Sequence, residues 1–164
     1  LASAALLLLL PAAGAAAKST DRNQAMSIDA GGQSGNLDGD GKILLSGGVV
    51  VTQGSLEIRS SAAEIYMAGG EISRSVFTGK QVKMKQQMDD GTWMDAQADR
   101  VEYDMKTETI TFIGNYTVKS ERGSNSGQRM VYNTTSGNMQ SGGDGTRVRT
   151  VIQPKSAQPA QGKN

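Results

Sequence analysis

The sequence predicts an all-β protein, an elongated antiparallel stack of about 14 to 16 short strands with almost no helix. Three observations carry that prediction. The first is a repeat: Ala98-Asp99-Arg100-Val101-Glu102-Tyr103 recurs 29 residues later as Gly127-Gln128-Arg129-Met130-Val131-Tyr132, with an apolar residue seven places after each tyrosine (Ile110, Met139) and a glycine eleven after it (Gly114, Gly143). A fixed period is the mark of units laid on one another. The second is alternation. Val101, Tyr103 and Met105, then Ile110 and Phe112, fall on every other position, the two-residue period of a strand with one buried face. The third is composition: 21 glycines among 164 residues, with aromatics at only 4%, is about twice the usual glycine content. Such a chain suits a thin sheet with tight turns better than a broad core.

The strand candidates follow in order. Met26 and Ile28 open the first. Ile43, Leu45, Val49 and Val51 alternate through Ser46-Gly47-Gly48, and Leu56 and Ile58 follow the turn Gln53-Gly54-Ser55. Ile65 and Met67 run into the Gly69-Gly70 turn. Taken alone, 62–67 could be a short helix, but no window of about eleven residues holds a helical period. Val82 and Met84 precede the turn Asp89-Asp90-Gly91, the repeated units come next, and 148–152 is the last apolar strand. The tail PKSAQPAQGKN over 154–164 has no apolar anchor and is expected to be disordered.

The first 17 residues are of another kind. Five leucines at 6–10 end at Pro11, and Ala15-Ala16-Ala17 before Lys18 has the small-x-small form of a leader cleavage site. The run is far short of the roughly 20 apolar residues that span a bilayer. Residues 1–17 are therefore expected to be an export signal peptide, read as lacking its start because neither Met nor a basic stretch precedes the leucines. Residues 18–153 are expected to form one domain. With no cysteine it would carry no disulfide, which a domain near this size tolerates because it buries about two-thirds of its unfolded surface.

The chain has no histidine and no cysteine. The usual general base near neutral pH, the thiol nucleophile and the favoured transition-metal ligands are thus missing together, and neither enzymatic activity, nor a metal, nor a cofactor is expected. A net charge of +1, from 17 basic and 16 acidic residues in mixed order, gives no basic field to hold nucleic acid. Asn36-x-Asp38-x-Asp40-Gly41 copies the opening of a calcium loop, but Gly47 stands where the bidentate Glu belongs. A tight turn is expected there. Asp89-Asp90 also sits at a turn signal, where Asp is common for conformational reasons.

The two halves of the chain match each other as well. Ile43-Leu44-Leu45-Ser46-Gly47-Gly48-Val49-Val50-Val51 aligns position for position with Ile110-Thr111-Phe112-Ile113-Gly114-Asn115-Tyr116-Thr117-Val118. Together with Val49-Val50-Val51-Thr52-Gln53-Gly54 and the ending Arg147-Val148-Arg149-Thr150-Val151, this order of elements resembles the OstA-like family over nearly all of residues 24–153. The resemblance implies a slightly twisted β-jellyroll, open at both ends, that works in the periplasm and shelters the lipid A chains of lipopolysaccharide in its interior. It also implies copies joined head to tail, bridging an inner-membrane anchored transport partner to an outer-membrane one. Elementary physics supplies the need: an acyl chain of about twelve carbons resists exposure to water by roughly 9 kcal/mol, at about 0.8 kcal/mol per CH₂.

The inward positions, and so the candidate lipid contacts, are Met26, Ile28, Ile43, Leu45, Val49, Val51, Met84, Val101, Tyr103, Met105, Ile110, Phe112, Tyr116 and Val118. Read from the residues alone, each either packs against its neighbours or touches cargo. Several of the eight methionines fall among them, and their unbranched thioethers repack easily around flexible chains. Met88 and Met94, near Trp93, read as local packing. Residues 24–30 and 147–152 are the expected end strands, where a further copy would add. Two functions remain open at this point: a lipid-carrying bridge, and a secreted structural β-stack, an adhesin or filament subunit, without lipid.

Overall fold

Among the described residues every strand pairing is antiparallel, and all of them belong to one sheet. A computed structural model describes residues 16–154. The strands are β1 (Met26–Gly35), β2 (Lys42–Gln53), β3 (Leu56–Ser60), β4 (Ala62–Ala68), β5 (Glu71–Gln87), β6 (Trp93–Asp104), β7 (Thr109–Ser120), β8 (Gly123–Asn133), β9 (Met139–Ser141) and β10 (Arg149–Ile152). A 3-10 turn, Ser19–Asn23, precedes them. The main path runs β1-β2-β3-β5-β6-β7-β8-β10, with β4 bonded to β2 and β5, and β9 to β8.

The sheet is folded on itself along one crease. Register breaks between Ala30 and Gly32, Thr78 and Val82, Gln97 and Arg100, and Ile113 and Tyr116 fall side by side, and Ser61 separates β3 from β4 at the same level. Strands β1, β2, β5, β6, β7 and β8 pass through the crease, whereas β3 and β10 lie wholly on one side of it and β4 and β9 on the other. The first layer holds the legs 26–30, 49–53, β3, 82–87, 93–97, 116–120, 123–126 and β10. The second holds 32–35, 42–45, β4, 71–78, 100–104, 109–113, 129–133 and β9.

The strand number corrects the sequence expectation. There are ten strands among the described residues, and β5 alone runs 17 residues. Turn spacing treats each bend as the end of a strand, but here the backbone ladder continues around the bend. Gly48 N–H donates to the Ser61 carbonyl and Ser61 N–H to Thr78, at 3.1 Å each. Counted as legs, the two layers hold eight each.

The bend depends on backbone conformations that L side chains avoid. Gly47 and Gly48 have φ of 74° and 86°, and Gly114 and Asn115, their counterparts in the internal match, have 81° and 45°. At Gly47 the Cα also lies 3.1 Å from where a Cβ on Gly31 would be, so β1 and β2 cross the crease nearly in backbone contact. The polar residues of the repeat work here. The Asn115 side chain donates to Asp99 at 3.0 Å and accepts from Gln128 at 3.1 Å, while its N–H donates to Gln128 at 3.1 Å. Asp99 and Gln128 are the second positions of the two repeat copies.

Segment 62–67, ambiguous alone, is strand β4. The Asn36 to Gly41 stretch is a turn, in which the Asn36 side chain accepts from Asp38 N–H at 2.8 Å and Gly41 N–H donates to Asp38. Of the expected leader only Ala16 and Ala17 are described, and both are set against the sheet. Ala17 is buried, bridges Met88 and donates from its N–H to Thr134, while Ala16 accepts from Asp89 N–H. The described residues thus reach two positions into the expected leader. The leucine run and the tail beyond Pro154 lie outside the described residues.

Replacing Gly47 with valine should destabilise the fold by about 1–3 kcal/mol, the cost of holding a β-branched residue at this φ. Urea unfolding followed by circular dichroism measures it. A loss below about 0.5 kcal/mol, the level of a neutral surface change, would mean that the crease tolerates ordinary residues.

Candidate functional site

The two layers enclose one apolar interior. Alternation sets it up: on β2, Ile43, Leu45, Val49 and Val51 are buried while Lys42, Leu44 and Ser46 are exposed. On β7, Ile110, Phe112, Tyr116 and Val118 repeat the arrangement. Tyr103 and Tyr132, the last residues of the repeat copies, both pair with Ile110, and Val101 and Met130 both pair with Phe112. The repeat is therefore the pair of rungs on either side of β7.

All fourteen sequence-selected positions fall in or against this cluster. Ile43, Leu45, Val49, Val51, Met84, Val101, Tyr103, Ile110, Phe112, Tyr116 and Val118 are buried within it, and Met26, Ile28 and Met105 are partly buried against it. Burial joins them as one surface and does not by itself distinguish core from cargo contact.

The interior opens at its C-terminal end. There a cavity of about 300 Å³ lies between the layers, with Met88, Met94, Val118, Tyr132, Val151 and Ile152 on its walls. Its rim is polar, with Thr92, Ser120, Arg122 and Asn125. Arg122 faces Asp90 across 3.8 Å, and the Thr92 hydroxyl and N–H, both donating to Asp90, hold that carboxyl below its ordinary range. Beside the mouth, Ile152 is 80% exposed and Val151 39%. An apolar throat with a polar rim suits an amphiphile with an alkyl end. Nothing in it supplies an acid, base or nucleophile directed at a common point.

Only Val118 of the sequence-selected set lines this cavity. Met88 and Met94, expected as local packing, are buried in the same cluster and also line the cavity, and both continue the inward period of their strands, Met84-Gln86-Met88 and Met94-Ala96-Ala98. That parity is the signal that finds them, and proximity to Trp93 hides it. The Tyr132 hydroxyl lies 3.7 Å from Met88 Sδ, joining the layers at the cavity floor, and burial pushes its pKa up to about 12. Tyr103 is raised by burial as well. Two other hollows, on the outer face around Lys83, Lys85 and Lys119 and along the crease around Asn115 and Gln128, have charged or polar walls that would not shelter an alkyl chain.

Comparison with known proteins gives concordant matches. The family described as LptA/(LptD N-terminal domain) LPS transport protein matches residues 27–138. The lipopolysaccharide export system protein LptA of Haemophilus influenzae is 29% identical over 161 residues, 95% of this chain and 92% of that protein. LptA of Escherichia coli K12 is 28% identical over 166 residues, 99% and 88% of the two chains. Among solved structures, LptH of Pseudomonas aeruginosa, described as the LptA-homologous periplasmic component of the lipopolysaccharide transport device, superposes with a TM-score of 0.72 at 25% identity, covering 82% of this chain and 99% of its own.

The buried phenol at the cavity floor makes stability depend on alkaline pH. Tyr132 ionises near 10 in the unfolded chain and only near 12 in the folded one, so its contribution is whole below about pH 10 and is lost as the pH climbs toward 12. Urea midpoints at about pH 9 and about pH 11.5 should fall further apart in the wild type than in Tyr132→Phe. Equal falls in the two proteins would show that the phenol is not sequestered.

Proposed function

Because the chain belongs to the LptA/(LptD N-terminal domain) family of lipopolysaccharide transport proteins, we propose that it is a periplasmic carrier. It holds lipopolysaccharide by its lipid A acyl chains between the two layers and passes it toward the outer membrane with the other components of the export pathway. The observation that carries this reading is the continuous apolar interior that reaches solvent at a polar-rimmed mouth. Each buried CH₂ is worth about 0.8 kcal/mol, so such an interior removes the main barrier to moving a lipid through water. The residues before Lys18 serve as the export leader.

On this reading the fourteen inward residues are the lipid surface of the parted layers, and Met88, Met94 and Tyr132 line the place where an acyl tail first enters. The sheet also ends in free edges. Among the described residues β1 and β10 each pair on one side only, leaving backbone donors and acceptors that can template a further strand. Copies joined β10 to β1, and an inner-membrane anchored and an outer-membrane partner added at the two ends, would extend one interior across the gap. A head-to-tail contact of this kind does not close on itself.

Two tests follow. Photo-crosslinking residues at Tyr103, Met105 and Phe112 should capture lipopolysaccharide, whereas outward positions Glu102, which pairs with Arg74 and Arg100, and Thr111 should not. Equal capture on both faces would remove the lumen assignment, and no capture anywhere would favour the lipid-free stack. Deleting residues 147–164 should leave a folded monomer by sedimentation and circular dichroism that still binds lipid along the fourteen inward residues, which lie earlier in the chain, although the mouth loses its Val151 and Ile152 walls. Persistent ladders of oligomers would mean that β10 is not the joint, and an unfolded product would place β10 in the core.

A further inference from the structure

The layers share the crease, so the opposite side of the fold is a seam where the hairpin turns of one layer face those of the other. Residues 16–24 lie along that seam and bond to both sides. Toward the first layer, Lys18 N–H donates to the Gln87 carbonyl at 3.0 Å, Ser19 N–H to the Asp89 carboxylate at 2.8 Å, and the Gln53 side-chain amide to the Gln24 carbonyl at 3.2 Å. Asp21 is the anchor: it is buried, and it accepts from Ser55 N–H at 3.0 Å and from the Ser55 hydroxyl. Toward the second layer, Arg22 donates to Glu108 at 2.5 Å and to the Thr135 hydroxyl at 2.8 Å.

We infer that residues 18–24 are a strap across the seam, latched by Arg22, that closes the interior to lipid entering from the side. This deepens the carrier reading above and rests on it. The two attachments differ in kind. Asp21 is 4% exposed, whereas the side chains of Arg22 and Glu108 are 35% and 39% exposed, and an exposed ion pair is weak and screened by salt. The strap therefore releases at Arg22 first and stays tethered at Asp21. What it covers is the cavity wall: Lys18 and Ser19 bond to Gln87 and Asp89 on either side of Met88, and Met88 lines the cavity. The latch lies beyond the expected leader cleavage, so it persists in the exported chain. Arg22 acts on access and need not touch lipid, which makes it a positioning residue.

The chain has no cysteine, so a pair can be introduced cleanly. Arg22→Cys with Glu108→Cys, joined by a reducible bis-thiosulfonate spacer of the length of an Arg–Glu pair, fixes the strap shut. Loading of purified fluorescent lipopolysaccharide is then timed by stopped flow, and occupancy at equilibrium is read by native mass spectrometry. The linked protein should load about tenfold more slowly than the same protein after reduction, as expected of a fixed lid. Arg22→Ala should load faster than wild type with unchanged circular dichroism and unchanged final occupancy. Equal rates before and after reduction overturn the strap and leave the carrier standing, as would be seen if lipid enters only through the ends. An Arg22→Ala rate equal to wild type overturns the latch. No lipopolysaccharide on the wild-type protein overturns the carrier reading and the strap with it.

Discussion

A sheet whose strands all bend at one level has to keep its apolar side chains inside on both legs, and that demand shapes the molecule. Side chains alternate every residue along a strand, so a bend that consumes the wrong number of residues turns an inward series outward. Strands β2 and β7 solve this in the same way. They step from Leu45 to Val49 and from Phe112 to Tyr116, keeping parity, by placing two consecutive residues at positive φ. Strands β5 and β6 change parity instead, from Phe77 to Val82 and from Ala98 to Val101, through bulges that absorb the odd residue. β-Bulges are the usual means of such local resetting. The glycine content follows from this demand as much as from turns.

Much of the rest depends on the crease. It turns a sheet that would bury one face into two layers that bury their faces against each other, with no need of a second sheet or of helices. The polar ladder Asp99–Asn115–Gln128 satisfies groups that the bend exposes, which explains why a polar residue recurs at the second position of the repeat. It leaves the opposite side unjoined, and there the N-terminal segment supplies the bonds that the sheet cannot.

Alternation and repeat are local, and what they encode was legible in the sequence: the all-β class, the inward parity of Val101, Tyr103, Ile110 and Phe112, and the equivalence of β2 with β7. Continuity through a bend is not local. Gly47-Gly48 has the same composition whether it ends a strand or creases one, so strand number was overestimated while the legs were counted correctly. The cavity was partly hidden for a related reason, since Met88 and Met94 flank the Asp89-Asp90-Gly91 turn and look like turn packing until their parity with Met84 and Ala98 is followed. The seam contacts were beyond sequence reading. Arg22 and Glu108 are 86 residues apart, and nothing in a polar lead-in of Ser, Asp and Arg marks which turn it will meet.

The same geometry reconciles a closed interior with a carrier. The strand-to-strand hydrogen bonds run within the layers and around the crease, so parting the layers at the seam breaks bonds of the N-terminal segment but no ladder between strands. It also breaks contact among the buried apolar side chains of the two layers, and on the carrier proposal an inserted acyl chain would restore contacts of the same kind. The dispersion gained by close packing is of similar size whether the neighbour is a side chain or a lipid tail. On the carrier proposal the net driving force for loading would be the removal of the alkyl chain from water, much the same from one rung to the next because the rungs are alike. Interior methionines favour this exchange, as their thioethers change rotamer at low cost. A carrier that must release its cargo benefits from such a shallow balance: an interior shaped as a rigid, permanently open pocket would bind one lipid conformation deeply, whereas layers that close on themselves compete with the lipid at every step and keep it movable.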